Sequence, residues 1–572
     1  MARRTFRSNQ SNRPTRLAVL RGFRRALQIQ TPAVPQASAD DGASTLAQPA
    51  DRRLAICLGW AAVAFFVLAV TRRGWISDDA FITMRAVDHL VHGRGFVYNA
   101  GERVLGFTNP LWALLLTVPY VLVQDPYFTP ILASVAVSGL FGALLVFRAA
   151  RDYRVGALVL VAVCFSRSFV DFSTSGLENP LTHLLLGLFF LEFLNSEQRS
   201  PMRLTLFASL LIVNRFDTVL MVLAPLWCTY RRVASTNQRK DIFLGALPAA
   251  LWFVFAVVYY GFPLPNTAYA KLNAEIPRAE MFRQGAGYLV DALVNDPISI
   301  GVITAAVIAL WMQRKSINGC FYVLTALGLE LLYIVAIGGD FMSGRFLTPA
   351  VAASAVVLAR LGQNWLDCSA QRWAVAGGLA LAIASVAFSP LRDDPLREKR
   401  DFPVTRIVNE RAWFQDHLAL LVNFRPVQWK AYGLYGEGKA AQARGRRVVL
   451  FNNVGMFAWG AGPRIHVVDD MALTDPLLAR IPFGYRDDWR TGHLPRNIPD
   501  GYLDSLERGQ NVIRDPCIAS YFEHLNRIVR GPLFSLDRWG SIVMLNLPGG
   551  MTVRACPERI ASKQSEAASP AP

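Results

Sequence analysis

Long apolar runs, each separated from the next by a short polar segment, recur along the first two thirds of the chain. Residues 54–70 and 127–147 contain no charged residue. Each run is long enough to cross a bilayer core as a helix, which takes ~17 to 25 residues. After Pro390 the sequence becomes charged and rich in Pro and Gly, without another run of this length. This pattern predicts a polytopic α-helical membrane protein with a soluble C-terminal domain.

The distribution of Lys and Arg orients the predicted spans, because short cytoplasmic loops carry an excess of both. Ten arginines within residues 1–53 place the N-terminus in the cytoplasm, although Arg72 and Arg73 count against this orientation. The apolar stretch 110–123 has only 14 residues, and we interpret it as a juxtamembrane or re-entrant helix. The predicted spans lie near residues 54–71, 127–147, 155–168, 178–194, 203–214, 217–230, 242–261, 297–312, 317–337, 346–361 and 372–389. Eleven crossings put the C-terminus outside.

The topology divides the chain into four parts. They are a disordered Arg-rich cytoplasmic tail (1–53), a transmembrane domain (54–389) with a first outer loop at 72–126, an extracytoplasmic domain (390–560) and a disordered tail (561–572). Within the extracytoplasmic domain the pattern predicts a helix near 404–423 and strands at 447–451, 465–468 and 541–547. That mixture is typical of a small α/β domain.

Composition narrows the class of protein further. The chain is 53% hydrophobic and only 18% charged, whereas average soluble proteins carry about 25% charged residues. A net charge of +17 would indicate nucleic acid in a soluble protein, but the arginine-rich tail accounts for much of it, and we expect no nucleic-acid partner. Seven cysteines show no metal-binding spacing. Cys517 and Cys556 alone fall in the predicted extracytoplasmic domain and are candidates for a disulfide.

Polar clusters beside the apolar runs all fall on the outer side under this topology. They are Asp78-Asp79, Gly176-Leu177-Glu178, Asn214-Arg215-Phe216-Asp217, the loop from Pro263 to Lys271 with Asn266 and Tyr269, and the loop from Gly338 to Arg345 with Asp340. A transporter would instead bury its ionisable residues near the membrane midplane, between related repeats. Five clusters on one face therefore predict an interfacial active site.

Each cluster also has a structural interpretation, which stays open at this point. The two adjacent aspartates and Glu178 are placed to cap the helices that follow them. Arg215 and Asp217 are close enough in sequence to pair only with each other. Lys271 and Arg345 fit an interfacial role in which the long side chain extends to water, although their polar loop neighbours favour anion binding.

The order of the motifs resembles that of a known family. The chain contains SDDAFITMRAVDHLVHGRGFVYNAGERVLGFTNPLW, GLENPL, NRFD, PLPNTAYAK and GGDFMSGRFLTP, followed after Pro390 by NVGMFAWGAG, LTDPLLARIP and RTGHLPR. This series, from about residue 75 to residue 502, resembles the terminal arabinofuranosyltransferases of mycobacterial cell-wall assembly. It equally resembles their relatives known as flagellar motor control proteins. No single motif is diagnostic, but the order of all eight is specific.

The resemblance implies a glycosyltransferase of the GT-C fold in the bacterial plasma membrane. Such an enzyme takes a sugar, here a pentofuranose such as arabinofuranose, from a polyprenyl-phosphate lipid at the outer face and transfers it to a cell-envelope glycan or glycoprotein. It also implies that Asp78 is catalytic, with Asp79 beside it. The donor-binding candidates are Glu178, Arg215, Asp217, Asn266, Tyr269, Lys271, Asp340 and Arg345. Arg-Phe-Asp replaces the commoner Arg-Pro-Asp or Arg-Pro-Glu, which keeps both charges but loses the proline.

These residue types suit that chemistry. A departing polyprenyl phosphate is an anion that positive charge stabilises, and an acceptor hydroxyl needs a carboxylate base within hydrogen-bond reach. No cofactor is certain; in a metal-dependent variant, Asp78, Asp79 and Asp340 would supply oxygen ligands to a divalent ion. The alternative function is a non-catalytic membrane protein that regulates the flagellar motor or the envelope. The intact acidic pair, Lys271 and Arg345 argue against it.

Overall fold

The structure, a computed structural model, describes most of the chain. The described residues are 49–195, 199–233, 235–315, 319–362, 405–424, 428–485, 487 and 489–556. The predicted tail at 561–572, the span at 372–389 and all but the end of the tail at 1–53 lie outside them. From Arg53 onward the chain clusters as one compact unit.

The first part of the described chain is mostly helical. Its helices are α1 (Pro49–Arg72), α2 (Asp78–Val91), α3 (Pro110–Val123), α4 (Phe128–Leu144), α5 (Tyr153–Val163), α6 (Arg167–Phe172), α7 (Asn179–Leu194), α8 (Pro201–Asn214), α9 (Val219–Tyr230), α10 (Thr236–Tyr260), α11 (Asn266–Leu272), α12 (Arg278–Asn295), α13 (Pro297–Met312), α14 (Cys320–Ala336) and α15 (Thr348–Leu361). A π-helical turn extends α4, and 3-10 turns precede α9 and α15. Each of the ten predicted spans within the described ranges overlaps a helix, although the span predicted at 155–168 begins in α5 and ends in α6. The stretch 110–123 is helical as expected.

Only some of these helices are long enough to cross a bilayer alone. Among the described residues, Asp51–Arg72, Phe128–Ala149 and Thr236–Tyr260 meet the length and composition that a span requires. A fourth candidate is the pair α12 and α13, which is bent by 104° at its break. The shorter apolar helices have 10–17 residues, and at 1.5 Å per residue they rise at most about 25 Å, less than a hydrocarbon core of ~30 Å. The count of eleven spans stays a prediction.

Helix α12 was not expected from the sequence, because charged residues interrupt its apolar positions. It nevertheless packs closely on α14. A Cβ at Gly285 would lie 2.2 Å from the carbonyl oxygen of Val335, so only glycine allows the two backbones to approach this far. Tyr288, one turn further along α12, is fully buried and donates a hydrogen bond to the Met342 carbonyl (2.9 Å). This contact holds the loop that contains Asp340 and Arg345.

Arg73, which counted against the predicted orientation, is buried. Its Nε and Nη2 donate to the Asp171 carboxylate at 2.9 and 3.1 Å. The Arg411 guanidinium also lies 3.7 Å from Asp171 and donates to the Arg73 carbonyl (3.0 Å). Because a carboxylate within the protein balances its charge, Arg73 carries no information about which side of a membrane it faces.

The C-terminal part combines helices with a two-stranded parallel sheet. Its elements are α16 (Glu410–Leu418), α17 (Gly433–Ala443), β1 (Val448–Phe451), α18 (Val454–Ala461), β2 (His466–Asp469), α19 (Tyr502–Arg508), α20 (Pro516–Arg530) and α21 (Leu536–Asn546). Val448 pairs with His466, and α18 connects the two strands. Both of these strands were predicted to within one residue. Of the helix predicted at 404–423, the described residues contain the shorter α16.

The strand predicted at 541–547 is wrong, because residues 541–546 belong to α21 and Leu547 follows its last residue. The buried positions in this segment have the spacing of a helix, three and four residues apart, rather than the alternation of a strand. Ser541 and Ile542 are buried together with Arg538, three and four residues earlier, whereas Val543 and Met544 are exposed. Nearby, Cys517 of α20 is bonded to Cys556, with a Cα–Cα distance of 5.5 Å. This disulfide is the pairing that the sequence made a candidate.

An aromatic cluster joins the C-terminal part to the segment that follows α1. Trp75 and Phe81 pack with Phe414, Trp429 and Met456 in one buried group. Residues 72–91 therefore lie between the helical part and the C-terminal part, which is where the acidic pair of the SDD motif is found.

Candidate active site

The acidic pair begins α2 without capping it. Ser77 is the N-cap residue, and its hydroxyl accepts the N–H of Ala80 at 3.3 Å. The capping role considered for Asp78 and Asp79 is therefore wrong for this helix. Both carboxylates are available for other partners, and the two differ completely in what they contact.

Asp78 caps another helix, α18, far along the chain. Its two carboxylate oxygens accept the backbone N–H groups of Gly455 (3.0 Å) and Met456 (2.8 Å). A negative charge at the first turn of a helix is favourable, because the helix dipole is positive there. The fit is close, since a Cβ at Gly455 would lie 1.9 Å from the Asp78 carbonyl oxygen. Burial raises the pKa of Asp78 to about 6, and the two backbone hydrogen bonds oppose that rise.

Helix α2 also contacts the C-terminal end of α18. The Arg85 guanidinium donates to the carbonyls of Ala458, Gly462 and Ile465. Helix α2 therefore places a carboxylate at the positive end of α18 and a cation at its negative end. This arrangement docks the NVGMFAWGAG motif on the SDD motif.

Asp79 lies in a different environment. The hydrogen bonds found among the described residues include none to its carboxylate. Burial raises the pKa of Asp79, the nearby Arg345 and Lys271 lower it, and Asp340 and Glu178 raise it, so that the net direction is upward. Asp79 is thus a partly buried carboxylate that has no hydrogen-bond partner among the described residues, within a cluster that contains both signs of charge.

Glu178 is the centre of that cluster. Its Oε1 lies 3.3 Å from Nη2 of Arg345 and 3.8 Å from Nη1 of Arg215. Its Oε2 accepts a hydrogen bond from Asn109 at 3.1 Å. The side chain makes no capping bond to α7, so the structural interpretation of Glu178 as a cap is wrong. One buried carboxylate instead holds two arginines side by side.

Arg215 and Asp217 pair with each other, as their structural interpretation expected. Nε and Nη2 of the arginine donate to the two carboxylate oxygens at 2.8 and 2.9 Å. The same guanidinium lies over the ring of Phe346, 4.6 Å from its centroid, and reaches Glu178. Arg215 therefore belongs to the cluster, and Asp217 lies behind it as its counter-ion.

Several buried polar atoms of the cluster have no hydrogen bond. Nη1 of Arg345 lies 3.5 Å from Oδ2 of Asp340. In the described part of the chain, the atoms without a hydrogen-bond partner include Arg215 Nη1, Arg345 Nε and Asp340 Oδ2. Buried polar groups are nearly always hydrogen-bonded in folded proteins. These buried groups form ion pairs but leave hydrogen-bonding capacity unused, and a polar ligand between them would supply the missing partners.

The PLPNTAYAK loop divides between this cluster and the C-terminal part. Lys271 is exposed and close enough to lower the pKa of Asp79. Asn266 is buried, donates to the backbone carbonyls of Ala472, Leu473 and Asp475, and accepts from Arg480 (3.0 Å). The ring of Tyr269 lies against the same guanidinium, 4.6 Å away. The structure therefore brings Lys271 to the cluster, but gives Asn266 and Tyr269 structural contacts.

Two residues of the C-terminal part join the cluster without having been predicted. Glu410, the first residue of α16, is buried, and Oε2 has no hydrogen bond; burial and then Asp79 raise its pKa well above the ordinary value. Arg490 is close enough to interact with Glu410 and Asp340. The residue after it, Thr491, donates to the Gly338 carbonyl (3.1 Å). The RTGHLPR motif was the signal for Arg490, whereas Glu410 belongs to no motif.

Comparison with known proteins supports the family resemblance drawn from the motifs. No protein-family model matches the chain. The chain is 27% identical over 553 aligned positions to the terminal beta-(1->2)-arabinofuranosyltransferase of Mycobacterium tuberculosis, an alignment that covers 78% of this chain and 85% of the relative. The protein of the same name from Corynebacterium glutamicum is 28% identical over 348 positions, covering 52% and 49%. The chain is a homologue of the terminal beta-(1->2)-arabinofuranosyltransferases. The resemblance inferred from the motifs is therefore confirmed.

The carboxylates of this arabinofuranosyltransferase homologue do not fit the metal site that the sequence left open. Within the described ranges, no group of three His, Cys, Asp or Glu side chains is arranged to hold a metal ion. Asp78 directs both oxygens to backbone N–H groups, which removes it from a set with Asp79 and Asp340. We derive no step through a metal ion.

Proposed function

We propose that the protein is a membrane glycosyltransferase of the GT-C fold. In this proposal it transfers a pentofuranose such as arabinofuranose from a polyprenyl-phosphate donor to a cell-envelope glycan or glycoprotein, at the outer face of the plasma membrane. The name of its homologues supports the reaction class and the sugar. The observation that carries the proposal is the Asp79 carboxylate, which has no hydrogen-bond partner among the described residues and lies beside cationic side chains.

Asp79 fits the role of the general base better than Asp78. A base must have an oxygen free to approach the acceptor hydroxyl within hydrogen-bond distance. Both oxygens of Asp78 are occupied by backbone N–H groups, so a proton transfer there would disrupt the cap of α18. The raised pKa of Asp79 also makes it a stronger base than an exposed aspartate. Asp78 then acts as a positioning residue.

The cationic side chains fit the departing phosphate. Lys271 is exposed and makes no ion pair in the described part of the chain, so its ammonium is available to an anion. Nε of Arg345 and Nη1 of Arg215 are buried donors without hydrogen bonds. Preorganised donors of this kind stabilise developing negative charge without having to reorganise during the reaction. Two adjacent guanidiniums repel each other, and Glu178 between them reduces the free-energy cost of that arrangement.

Glu410 has a complementary role in this proposal. Because its pKa is raised well above the ordinary value by burial and by Asp79, we expect it to keep its proton. It then adds a hydrogen-bond donor to the site instead of a further negative charge. Glu410 would then be protonated while Asp79 is ionised. Two carboxyl groups in such different states commonly take the separate roles of acid and base in one site.

The test is sugar transfer by the purified full-length protein in lipid nanodiscs. The donor is a polyprenyl-phosphate arabinofuranose and the acceptor a short arabinofuranose oligosaccharide, with products followed by mass spectrometry. We expect a product longer by one pentose, which is absent with the Asp79→Asn variant. If the folded protein binds the donor but never turns it over, the non-catalytic alternative is correct.

A further inference from the structure

A polar cavity of about 360 Å³ lies in the C-terminal part. Its lining comes from the segment after α2, from the starts of β1 and β2, and from α19 and α20 with the loop between them. None of its lining residues belongs to the cluster around Asp79. The volume falls in the lower part of the range of about 300–1,000 Å³ that small-molecule sites occupy. The cavity therefore has the size of a ligand site that the transfer reaction does not account for.

The charge of the cavity is positive. Arg447, Arg464 and Arg530 all line it. Arg530 is balanced by the buried carboxylate of Glu102 at 2.8 Å and also donates to Asn526 (2.7 Å). Arg447 and Arg464 are exposed, and neither guanidinium has an ion pair or hydrogen bond among the described residues. Two arginines thus line the cavity without a counter-ion in the part of the chain that the structure describes.

The fold holds these two arginines near each other. Arg447 immediately precedes β1, and Arg464 lies two residues before β2, the neighbouring strand. The strands are joined in parallel at Val448 and His466, and the His466 N–H donates to the Arg447 carbonyl at 2.9 Å. Neighbouring strands lie about 4.8 Å apart. Both arginines therefore lie at the same end of the two-stranded sheet, next to the first residues of its strands.

Neutral hydrogen-bonding groups complete the lining. Gln510 and Asn526 line the cavity with amide groups, and so does Asn511, whose amide also bonds the Ala519 carbonyl and the Ile513 N–H. Amides donate and accept hydrogen bonds, as sugar hydroxyls require, and arginines bind carboxylate or phosphate through paired N–H groups. From this combination we propose that the cavity binds an acidic saccharide, meaning a sugar unit that carries a carboxylate or phosphate group. The site is separate from the proposed transfer site and does not depend on transfer taking place.

Binding is measured by isothermal titration calorimetry on the full-length protein in nanodiscs of neutral lipid, without sugar donor. The probes are a glucuronate-containing disaccharide, the matching neutral glucose disaccharide and glucose 6-phosphate. We expect at least one acidic probe to bind at least tenfold more tightly than the neutral one, with an affinity that falls as salt is added. The tighter of the two acidic probes identifies the anion.

The double variant Arg447→Gln/Arg464→Gln is expected to lower the affinity for the acidic probe at least tenfold. Arg446→Gln is the matched control, because Arg446 is an exposed neighbour that does not line the cavity, and its affinity should stay within twofold of the unsubstituted protein. Equal binding of neutral and acidic probes, no binding of any probe, or an equal loss in the control would overturn the proposal. Because no donor is present, a failure of the proposed transfer reaction would leave this result unaffected.

Discussion

Exchanging each aspartate of the SDD motif for asparagine separates catalysis from docking. In Asp79→Asn the amide keeps the size of the side chain but has no basicity to accept a proton from the acceptor. Removal of a general base typically costs ~10²- to 10⁴-fold in rate. Because no hydrogen bond to Asp79 is found among the described residues, we expect this variant to keep the thermal stability of the unsubstituted protein.

Asp78→Asn should have the opposite profile. Asp78 accepts the backbone N–H groups of Gly455 and Met456 with one oxygen each. Asparagine has only one such oxygen, so that its NH₂ group faces the second N–H and one hydrogen bond is lost. Loss of a hydrogen bond to a charged group costs about 1.5–3 kcal/mol. We therefore expect a lower unfolding temperature and weaker docking of α18, with a smaller loss of rate than in Asp79→Asn. Part of this loss of stability is offset near neutral pH. Burial of the charged Asp78 costs free energy, as its pKa of about 6 shows, and the uncharged amide of asparagine avoids that cost.

Both variants are compared with the unsubstituted protein for transfer rate, donor binding and thermal unfolding in the same nanodiscs. Hydrogen exchange of the amides at the start of α18 reports the docking separately. A near-normal rate of Asp79→Asn would show that Asp79 is not the base. Complete loss of activity in Asp78→Asn, with the α18 amides still protected, would show that Asp78 is the base.

Four further predictions concern the charges around Asp79, the disulfide and the membrane topology. Lys271→Ala should raise KM for the donor, because the proposed partner of the phosphate is removed. It should also move the rise of activity with pH to higher pH, because this cation lowers the pKa of Asp79. Asp340→Asn should move that rise to lower pH, since Asp340 raises the same pKa; pH–rate profiles of both variants give the sign. Reduction of the disulfide, whose cysteines are 39 residues apart, should destabilise the C-terminal part by roughly 3–4 kcal/mol in the chain-entropy model, which denaturant unfolding with and without reductant measures. Cysteine introduced at Thr267 should react in intact cells with a membrane-impermeant thiol reagent and cysteine at Ser235 should not; labelling at Ser235 would contradict the predicted orientation.

The helices of the first part were predictable because their signal is local. Each predicted span has at least 12 residues, which is longer than a typical strand, and the ten spans within the described ranges overlap helices. Helix α12 was missed because its charged positions conceal an apolar face that packs on α14. The strand predicted at 541–547 failed for a related reason, since an apolar run alone does not distinguish a strand from one face of a helix.

The site was predictable as a set of motifs but not as a set of roles. Adjacent aspartates are indistinguishable in sequence, and their difference arises from Gly455 and Met456, more than 370 residues later. Asn266 belongs to one of the motifs of the resemblance, yet its amide joins its own loop to the backbone at residues 472–475. Conversely, Glu410 had no motif to mark it, and only the packing of α16 brings it near Asp79. Which side chains meet depends on tertiary contacts.

In the proposed reaction, the distribution of charge would also connect donor binding to the strength of the base. Lys271 and Arg345 lower the pKa of Asp79 in the structure described here. A bound phosphate would pair with these cations and bring its own negative charge close to Asp79, and both effects raise the pKa of a carboxylate. Asp79 would then become a stronger base once the donor is in place, and remain weaker without it. Glu178 makes this coupling possible, because it keeps Arg215 and Arg345 together before the phosphate arrives.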